Sequence, residues 1–291
     1  MIKEHIPSDP EQSFRFLSWG DSLDSVLLNK GDGTSVEFSG MGNVWHYHPE
    51  FELTLFTNGE GIRYIGDDVR AFDSPDLVLL GSNLPHHWAT DKSAGYCMQF
   101  SFDPSSPLSG LHESGCLKDL LNKAKKGLKF SKRCRNDVLA LIEECKECAH
   151  VERLAIFLKI LHRLSNARTT SISSFIPQGL SCSKSAVVKK AVQYIVENAA
   201  DESLELQQVL DQFNMSRATF SRHFQRALGQ SYTPFVQSIR LETARNMLAT
   251  TDKSITEIAF ASGFSNLSHF NSLFKKRWSM SPKQLRSSLQ K

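Results

Sequence analysis

The chain has 291 residues, of which 40% are apolar and 22% charged, and a net charge of +3. That is enough chain and enough apolar surface for two domains with sizeable cores. No run approaches the roughly 20 apolar residues that cross a bilayer and "MIKEHIPSDPEQSF" lacks the apolar centre of a secretory signal, so the composition predicts a soluble cytoplasmic protein with no membrane partner.

The charge is unevenly spread. Residues 1–113 carry 6 basic against 17 acidic groups, residues 114–180 carry 13 against 6, and residues 181–291 carry 15 against 8. A basic C-terminal part predicts a polyanionic partner there, and the acidic N-terminal part predicts a different one. The six cysteines (Cys97, Cys116, Cys134, Cys145, Cys148, Cys182) are scattered, which suits free thiols in a reducing compartment.

From about 23 to 102, short runs rich in β-branched and aromatic residues ("SVEFSG", "FELTLFTNGEG", "IRYIGDDVRAF", "LVLLGSNLPHHW", "GYCMQFSF") are separated by Gly, Asp and Pro. Many short strands between turn signals predict a barrel or sandwich. Within this region Gly40, His46, His48, Glu52 and Gly59 follow the spacing G-x5-H-x-H-x3-E-x6-G, and Pro85 and His86 follow in "GSNLPHHW". Strand residues of equal parity share a face, so His46, His48 and Glu52 can point into one interior. Imidazoles with a carboxylate suit Fe, Mn, Zn, Ni or Cu.

The spacing resembles the two motifs of the cupin barrels, in which two histidines and a glutamate meet a third histidine from another strand, here His86 or its neighbour His87. The second motif departs from the pattern at Ser82 and Asn83. Three uses stay open for His46, His48, Glu52 and His86: ligands of a divalent metal, direct hydrogen-bonding partners of a small polar and sugar-like effector, or a structural role. Arg63 is a candidate for an anionic group of that effector. Trp45, Tyr64 and Trp88 offer either a stacking surface or barrel core.

Residues 114–167 change to a helical texture, with "VLALIEECKECAHVERLAIFLKILHRL" spacing its apolar residues three and four apart. This segment can cover the barrel, a partner subunit, or both. Its Cys145-x-x-Cys148 pair reads as one helix face or as half of a zinc site. "NARTTSISSFIPQGLSCSK" is rich in Ser and Thr and predicts a linker over 168–184.

The remainder repeats itself. "MSRATFSRHFQRALG" and "SNLSHFNSLFKKRWS" align at an offset of fifty residues, pairing Phe220 with Phe270, Phe224 with Phe274 and Leu228 with Trp278. Each is a helix with an i, i+4, i+8 apolar stripe, a polar cap (Ser216, Asn266), and a short helix and turn before it. In the second unit Ser254 and Glu257 form a capping box and Gly263 takes the turn. "TPFVQSIRLETARNMLATT" supplies a long helix between the two helix-turn-helix units.

This half, 185–291, resembles the AraC/XylS transcription regulators, most specifically along "RLETARNMLATTDKSITEIAFASGFSNLSHFNSLFKKRWSMSPKQLR", Arg240 to Arg286. The resemblance implies that two recognition helices enter successive major-groove segments about 34 Å apart. Its base-facing positions fall on Ala218, Ser221 and Arg222, beside Arg217, and on Ser268, Asn271 and Ser272. Arg222 can read guanine bidentately. Ser272 stands where many relatives carry arginine, so the second helix is expected to grip backbone through Lys275, Lys276 and its N-terminus. Asn214 and Ser279 stand where the family usually has glycine.

Together the readings predict a two-domain α+β chain: a cupin-like β-barrel over 1–113 with flanking helices, a helical segment over 114–167 for dimerisation, a linker over 168–184, and an all-α DNA-binding domain over 185–291. The function that follows is an effector-responsive, sequence-specific transcription regulator, an activator by the family's commoner mode, and not an enzyme. It requires no cofactor, with a divalent metal in the pocket as an option. Its partners are double-stranded DNA, a small-molecule effector, a second copy in a homodimer and, for an activator, RNA polymerase. The rival reading is a metal-dependent cupin enzyme, an oxygenase or isomerase, fused to a DNA-binding domain. A third is a regulator with a mute sensor.

Overall fold

The structure is a computed structural model that describes residues 2–3, 13–174 and 183–289. The chain divides into two compact units, one built from residues 2–177 save for 69–71 and the other from 178–291.

The N-terminal unit runs through β1 (Ile2–Lys3), β2 (Phe14–Trp19), β3 (Ser25–Asn29), β4 (Ser35–Ser39), β5 (His46–Tyr47), β6 (Phe51–Ile65), β7 (Asp68–Asp73), β8 (Asp76–Leu80), β9 (His86–Ala89) and β10 (Ser93–Phe100). It continues with α1 (Pro107–Gly110), α2 (Leu117–Ala124), β11 (Leu128–Phe130), α3 (Lys132–Glu147), α4 (His150–Ser165) and β12 (Thr169–Ser171). The long β6 serves two sheets. Its first half pairs with β10 and β8, and its second half pairs with β9, which also carries β5 and β1. The larger sheet continues from β10 through β2 and β3 to β4, and from β8 through β11 to β12. β6 bends between its two halves at Gly59, whose φ of +105° and whose missing Cβ, which would lie 2.6 Å from the Lys92 carbonyl oxygen, both require glycine.

The central strands of the larger sheet, β6, β8, β10 and β2, are buried on both faces. Leu53 and Leu55 of β6, Met98 and Phe100 of β10, and Phe14 and Phe16 of β2 point outward into one core with Val138 and Ile142 of α3 and Phe157, Ile160, Leu161 and Leu164 of α4. Phe157 stacks on Phe14 with ring centroids 4.0 Å apart and meets Phe100 edge-on at 5.3 Å. The intervening residues, among them Leu17, Trp19, Phe56 and Cys97, face a second core inside the barrel. The helices of 114–167 therefore cover the sheet as part of the barrel unit, with β11 inserted among them. The buried guanidinium of Arg153 ties α4 down by donating to the carbonyls of Asn29 and Lys30, and lies 5.2 Å from the Phe16 ring centroid.

The boundary of the linker differs from the sequence expectation. Thr169–Ser171 pairs with β11, Ile172 packs against the barrel core, and Ser173 is buried with its hydroxyl donating to Asp67 at 2.5 Å. Pairing with β11 makes a strand of Thr169–Ser171, in a stretch whose Ser content reads as loop. Residues 175–182 lie outside the described residues.

The C-terminal unit contains α5 (Ser183–Asn198), α6 (Leu206–Gln212), α7 (Arg217–Leu228), α8 (Tyr232–Thr250), α9 (Ile255–Ala261), α10 (Leu267–Trp278) and α11 (Pro282–Leu289). Caps fall where the sequence places them: Ser216 accepts from the Thr219 N–H at 3.3 Å, Asn266 from His269 at 2.9 Å, and Ser254 and Glu257 bond reciprocally. The two units repeat in backbone as well. Asn214 (φ +49°) and Gly263 (φ +88°) take the turns, and Gly229 (φ +72°) and Ser279 (φ +57°) end the second helices. Asn and Ser thus adopt the left-handed geometry for which the family pattern carries glycine.

Removing the Phe157 ring leaves a cavity between α4 and the sheet. Phe157→Ala should cost about 3–5 kcal/mol, read as a lower urea midpoint in the fluorescence of the barrel tryptophans; an unchanged midpoint would mean that α4 does not depend on this contact.

Candidate functional site

The C-terminal unit presents two matching polar faces. On α7, Phe220 and Phe224 are buried while Arg217, Ala218, Ser221 and Arg222 are exposed. On α10, Phe270 and Phe274 are buried while Ser268, Asn271, Ser272, Lys275 and Lys276 are exposed. The i, i+4 spacing puts each exposed set on one side of its helix, so every residue proposed from sequence to touch DNA is free to do so. Two interactions fix the helices between them. Arg240 of α8 donates to the Ala199 carbonyl at 2.7 Å and the Asp201 carbonyl at 2.8 Å, holding the end of α5. A Cβ on Gly263 would lie 2.7 Å from the same Ala199 oxygen, so the second turn docks where only glycine fits. Arg277 of α10 bonds Glu242 of α8 through Nε at 3.1 Å and Nη2 at 2.9 Å.

In the barrel, His46, His48, Glu52 and His86 converge. One ligand-type atom from each lies within 4.8 Å of all the others, and all four residues are buried. Register brings them together: His46 pairs with His86 across β5 and β9. A Cβ on Gly40 would fall 2.0 Å from the Leu23 carbonyl oxygen, so the first motif glycine lets the chain pass close before entering β5. The Nδ1–H groups of His46 and His86 donate to the carbonyls of Val44 and Leu84, each at 2.8 Å. In a neutral ring, that bond leaves the lone pair on Nε2. His48 Nδ1 donates to the Glu50 carbonyl at 3.2 Å, and its Nε2 lies 2.9 Å from Glu52 Oε2.

Burial, with the neighbouring His86 and His48, pushes the His46 pKa well below 6.5. Burial alone would raise the Glu52 carboxyl, but the neighbouring His86 and the hydrogen bond from His48 outweigh it and hold the carboxyl well below 4.5. A carboxylate among three imidazoles is a donor set for a cation. Ligand atoms about 2.1 Å from an ion lie at most about 4.2 Å apart, so only a small contraction would close the cluster on one. His86 Nε2 has no hydrogen-bond partner among the described residues, which is consistent with a missing electrophile.

Two residues that sequence reasoning left aside complete this floor. Gln99 Nε2 donates to Glu52 Oε2 at 3.1 Å, with its Oε1 accepting from Arg15 at 3.2 Å, and Thr54 donates to Glu52 Oε1 at 2.5 Å. The signal was in the strands, where Thr54 and Gln99 are polar at the parity of Glu52 and Cys97 in otherwise apolar runs. A cavity that is partly open to solvent lies over the floor. His46, Glu52, Thr54 and Gln99 line its base, and its walls include Leu17, Trp19, Val26, Phe38, Phe56 and Trp88.

Other expectations are corrected. Arg63 does not line this cavity: it is 3% exposed and is ion-paired to the buried Asp76, which also meets Lys129 Nζ at 2.9 Å. A buried guanidinium needs such a partner, and the pairing takes it out of the effector set. His86, not His87, joins the cluster. His87 stacks on Tyr64 with centroids 4.9 Å apart, and Trp45 meets Tyr64 edge-on at 6.0 Å, so only Trp88 of the three aromatic candidates reaches the cavity. Burial, then His86, lowers the His87 pKa to about 3.

Two linked helix-turn-helix units with exposed basic recognition faces define a DNA-binding protein. A family described as "Helix-turn-helix domain" matches residues 209–288. The transcriptional activator RhaS of Pectobacterium atrosepticum is 25% identical over 260 residues, 83% of this chain and 86% of that protein. The RhaS of Yersinia pestis is 34% identical over 94 residues, 32% of this chain and 34% of that protein. A transcriptional regulator of Chromobacterium violaceum described as AraC-type is 28% identical, with a TM-score of 0.33, over 36% of this chain and 92% of that one. The C-terminal unit is thus a helix-turn-helix domain, and the curated relatives that share it are transcription regulators. No helix among the described residues is long and apolar enough to cross a membrane.

The C-x-x-C pair is not arranged as a site. Cys145 is buried in α3 with its thiol directed at the Arg153 carbonyl, 3.8 Å away, and burial pushes its pKa up to about 11. At pH 8 iodoacetamide should label the exposed Cys116 in the folded protein and Cys145 only after unfolding, by peptide mass spectrometry; equal labelling of the two would contradict the burial.

Proposed function

We propose that the chain is an effector-responsive activator of transcription whose barrel senses a small molecule. Supporting this reading is the coexistence of an AraC-type domain with a cavity over a convergent polar floor, which a purely structural barrel does not need. His46, His48, Glu52 and His86 form the floor of the effector site and hold a divalent metal. Such an ion would supply a charge-neutralising Lewis acid to the oxygen of a bound molecule, while Gln99 and Thr54 keep the Glu52 carboxylate oriented. The protein acts as a homodimer. On α4, Val151 is 77% exposed and lies in line with Ala155 and the half-buried Leu154 and Leu158, an i, i+3, i+4, i+7 stripe suited to a second copy. Activation adds RNA polymerase as a partner.

Arg222 carries base reading on α7, and Lys275 and Lys276 carry backbone grip on α10. On operator selected from random DNA with the full chain, Arg222→Ala should weaken binding at least tenfold and relax preference at one position. The Lys275→Gln, Lys276→Gln pair should instead weaken all sequences alike and lower the slope of log K against log salt by about 2. Equal sequence preference in Arg222→Ala and the parent would remove the assignment.

The donor set also fits a cupin enzyme, so metal content and turnover need separate measurement. Protein dialysed against cobalt(II) should bind one ion with a visible spectrum. His86→Ala and Glu52→Gln should each weaken uptake at least tenfold, and Gln99→Leu by about tenfold. Uptake indifferent to all three would place any metal elsewhere, and effector binding by metal-free protein would remove the enzyme reading.

A further inference from the structure

The histidine motif by itself suggests a polyhydroxylated effector, yet the cavity is polar only at its base. We infer that the effector is an amphiphile with a single polar end, an alcohol or carboxylic acid on an aromatic or branched apolar body. This rests on the sensor reading above and deepens it.

Three observations carry the inference. Aromatic rings dominate the walls: Phe56 meets Trp19 edge-on with centroids 5.2 Å apart and Trp88 at 5.7 Å, a surface that binds apolar bodies by contact. The polar groups near those walls are already engaged. Trp19 Nε1 donates to Ser93 Oγ at 3.1 Å, the Gly40 N–H to the Asp24 carbonyl at 3.0 Å, and the Gly42 and Met41 carbonyls accept from the backbone of Trp88 and Val44 at 2.9 and 3.0 Å. A sugar buried here would leave several hydroxyls without partners, each lowering affinity by about tenfold.

One donor for an oxygen remains in the wall. The indole N–H of Trp88 is buried with no hydrogen-bond partner among the described residues, and its ring lies 5.2 Å from that of His86. An orphaned indole N–H in a cavity wall is satisfied by a ligand acceptor. Gln99 stands on the same floor, but its amide nitrogen is taken by Glu52 Oε2 at 3.1 Å and His48 Nε2 at 3.4 Å, which leaves the Trp88 N–H as the donor for a ligand oxygen.

The full-length protein is titrated with 4-isopropylbenzyl alcohol, 4-isopropylbenzoate and octanoate, with p-cymene as the headless control, and with L-rhamnose, L-arabinose and D-xylose. Binding is read by melting temperature and by the fluorescence of Trp19 and Trp88. At least one oxygen-bearing apolar probe should bind saturably at a concentration a hundredfold or more below any sugar and raise the melting temperature. Val26→Phe, which fills the wall, should weaken it at least tenfold, and Trp88→Phe should weaken it about tenfold while leaving p-cymene unaffected. Should Val26→Phe fail to fold, the titration of the parent protein and Trp88→Phe decide. Tighter binding of a sugar, binding of neither class, or equal binding of probes with and without the polar end overturns the inference. A sugar that binds and alters operator affinity would leave the sensor reading standing; an amphiphile that binds without altering operator affinity would do the reverse.

Discussion

Side-chain alternation along β6 is the constraint on which the N-terminal unit depends. Leu53 and Leu55 project outward to seat α4, while Glu52, Thr54 and Phe56 project inward to build the cavity. The neighbouring strands keep the same division: Met98 and Phe100 against Gln99 on β10, and Phe14 and Phe16 against Leu17 and Trp19 on β2. A slip of one residue would drive a carboxylate into the helix interface and two leucines onto the histidines, so register and site are specified together. The sheet cannot form its polar floor without also forming its apolar back, and the helices of 117–165 exist to cover that back.

The C-terminal unit depends on a comparable fit. Arg240 grips the carbonyls that end α5, and Gly263 approaches the same Ala199 oxygen so closely that no side chain could stand there. One residue comes from the long connecting helix and the other from the second turn. Their shared target locks the second helix-turn-helix unit to the helix that precedes the first, which is how two recognition faces acquire one fixed spacing. The family-like pattern from Arg240 to Gly263 is thus a packing requirement as much as a signature.

The sequence was legible where periodicity and local chemistry dominate. The repeat of Phe220 with Phe270 and Phe224 with Phe274 located both recognition helices, since an i, i+4 stripe must be buried. The histidine motif located the floor, because parity places His46, His48 and Glu52 together. What was not legible depended on partners far along the chain. Arg63 looks available until Asp76 is seen beside it; the choice between His86 and His87 rests on which face of β9 meets Tyr64; and "TTSISS" reads as linker until β11 offers a pairing edge. Each is a long-range contact with no trace in local composition.

The cavity floor holds a buried carboxylate that the fold balances with hydrogen bonds and imidazoles rather than with a lysine or arginine. Glu52 is 4% exposed, and among the described residues no lysine or arginine touches its carboxylate; Arg15 reaches it only through Gln99. A buried anion of this kind is stabilised by protons on the surrounding imidazoles or by a bound cation, and its environment changes when a ligand enters the cavity. For a sensor, that matters because the shortest covalent route from floor to helical cover is a single peptide bond, from Glu52 to Leu53. In a close-packed interior, a displacement of β6 that suits a ligand on one face must be accommodated by α4 on the other. A ligand that favours one seating of α4 over another would thereby bias the helix that carries the exposed stripe at Val151.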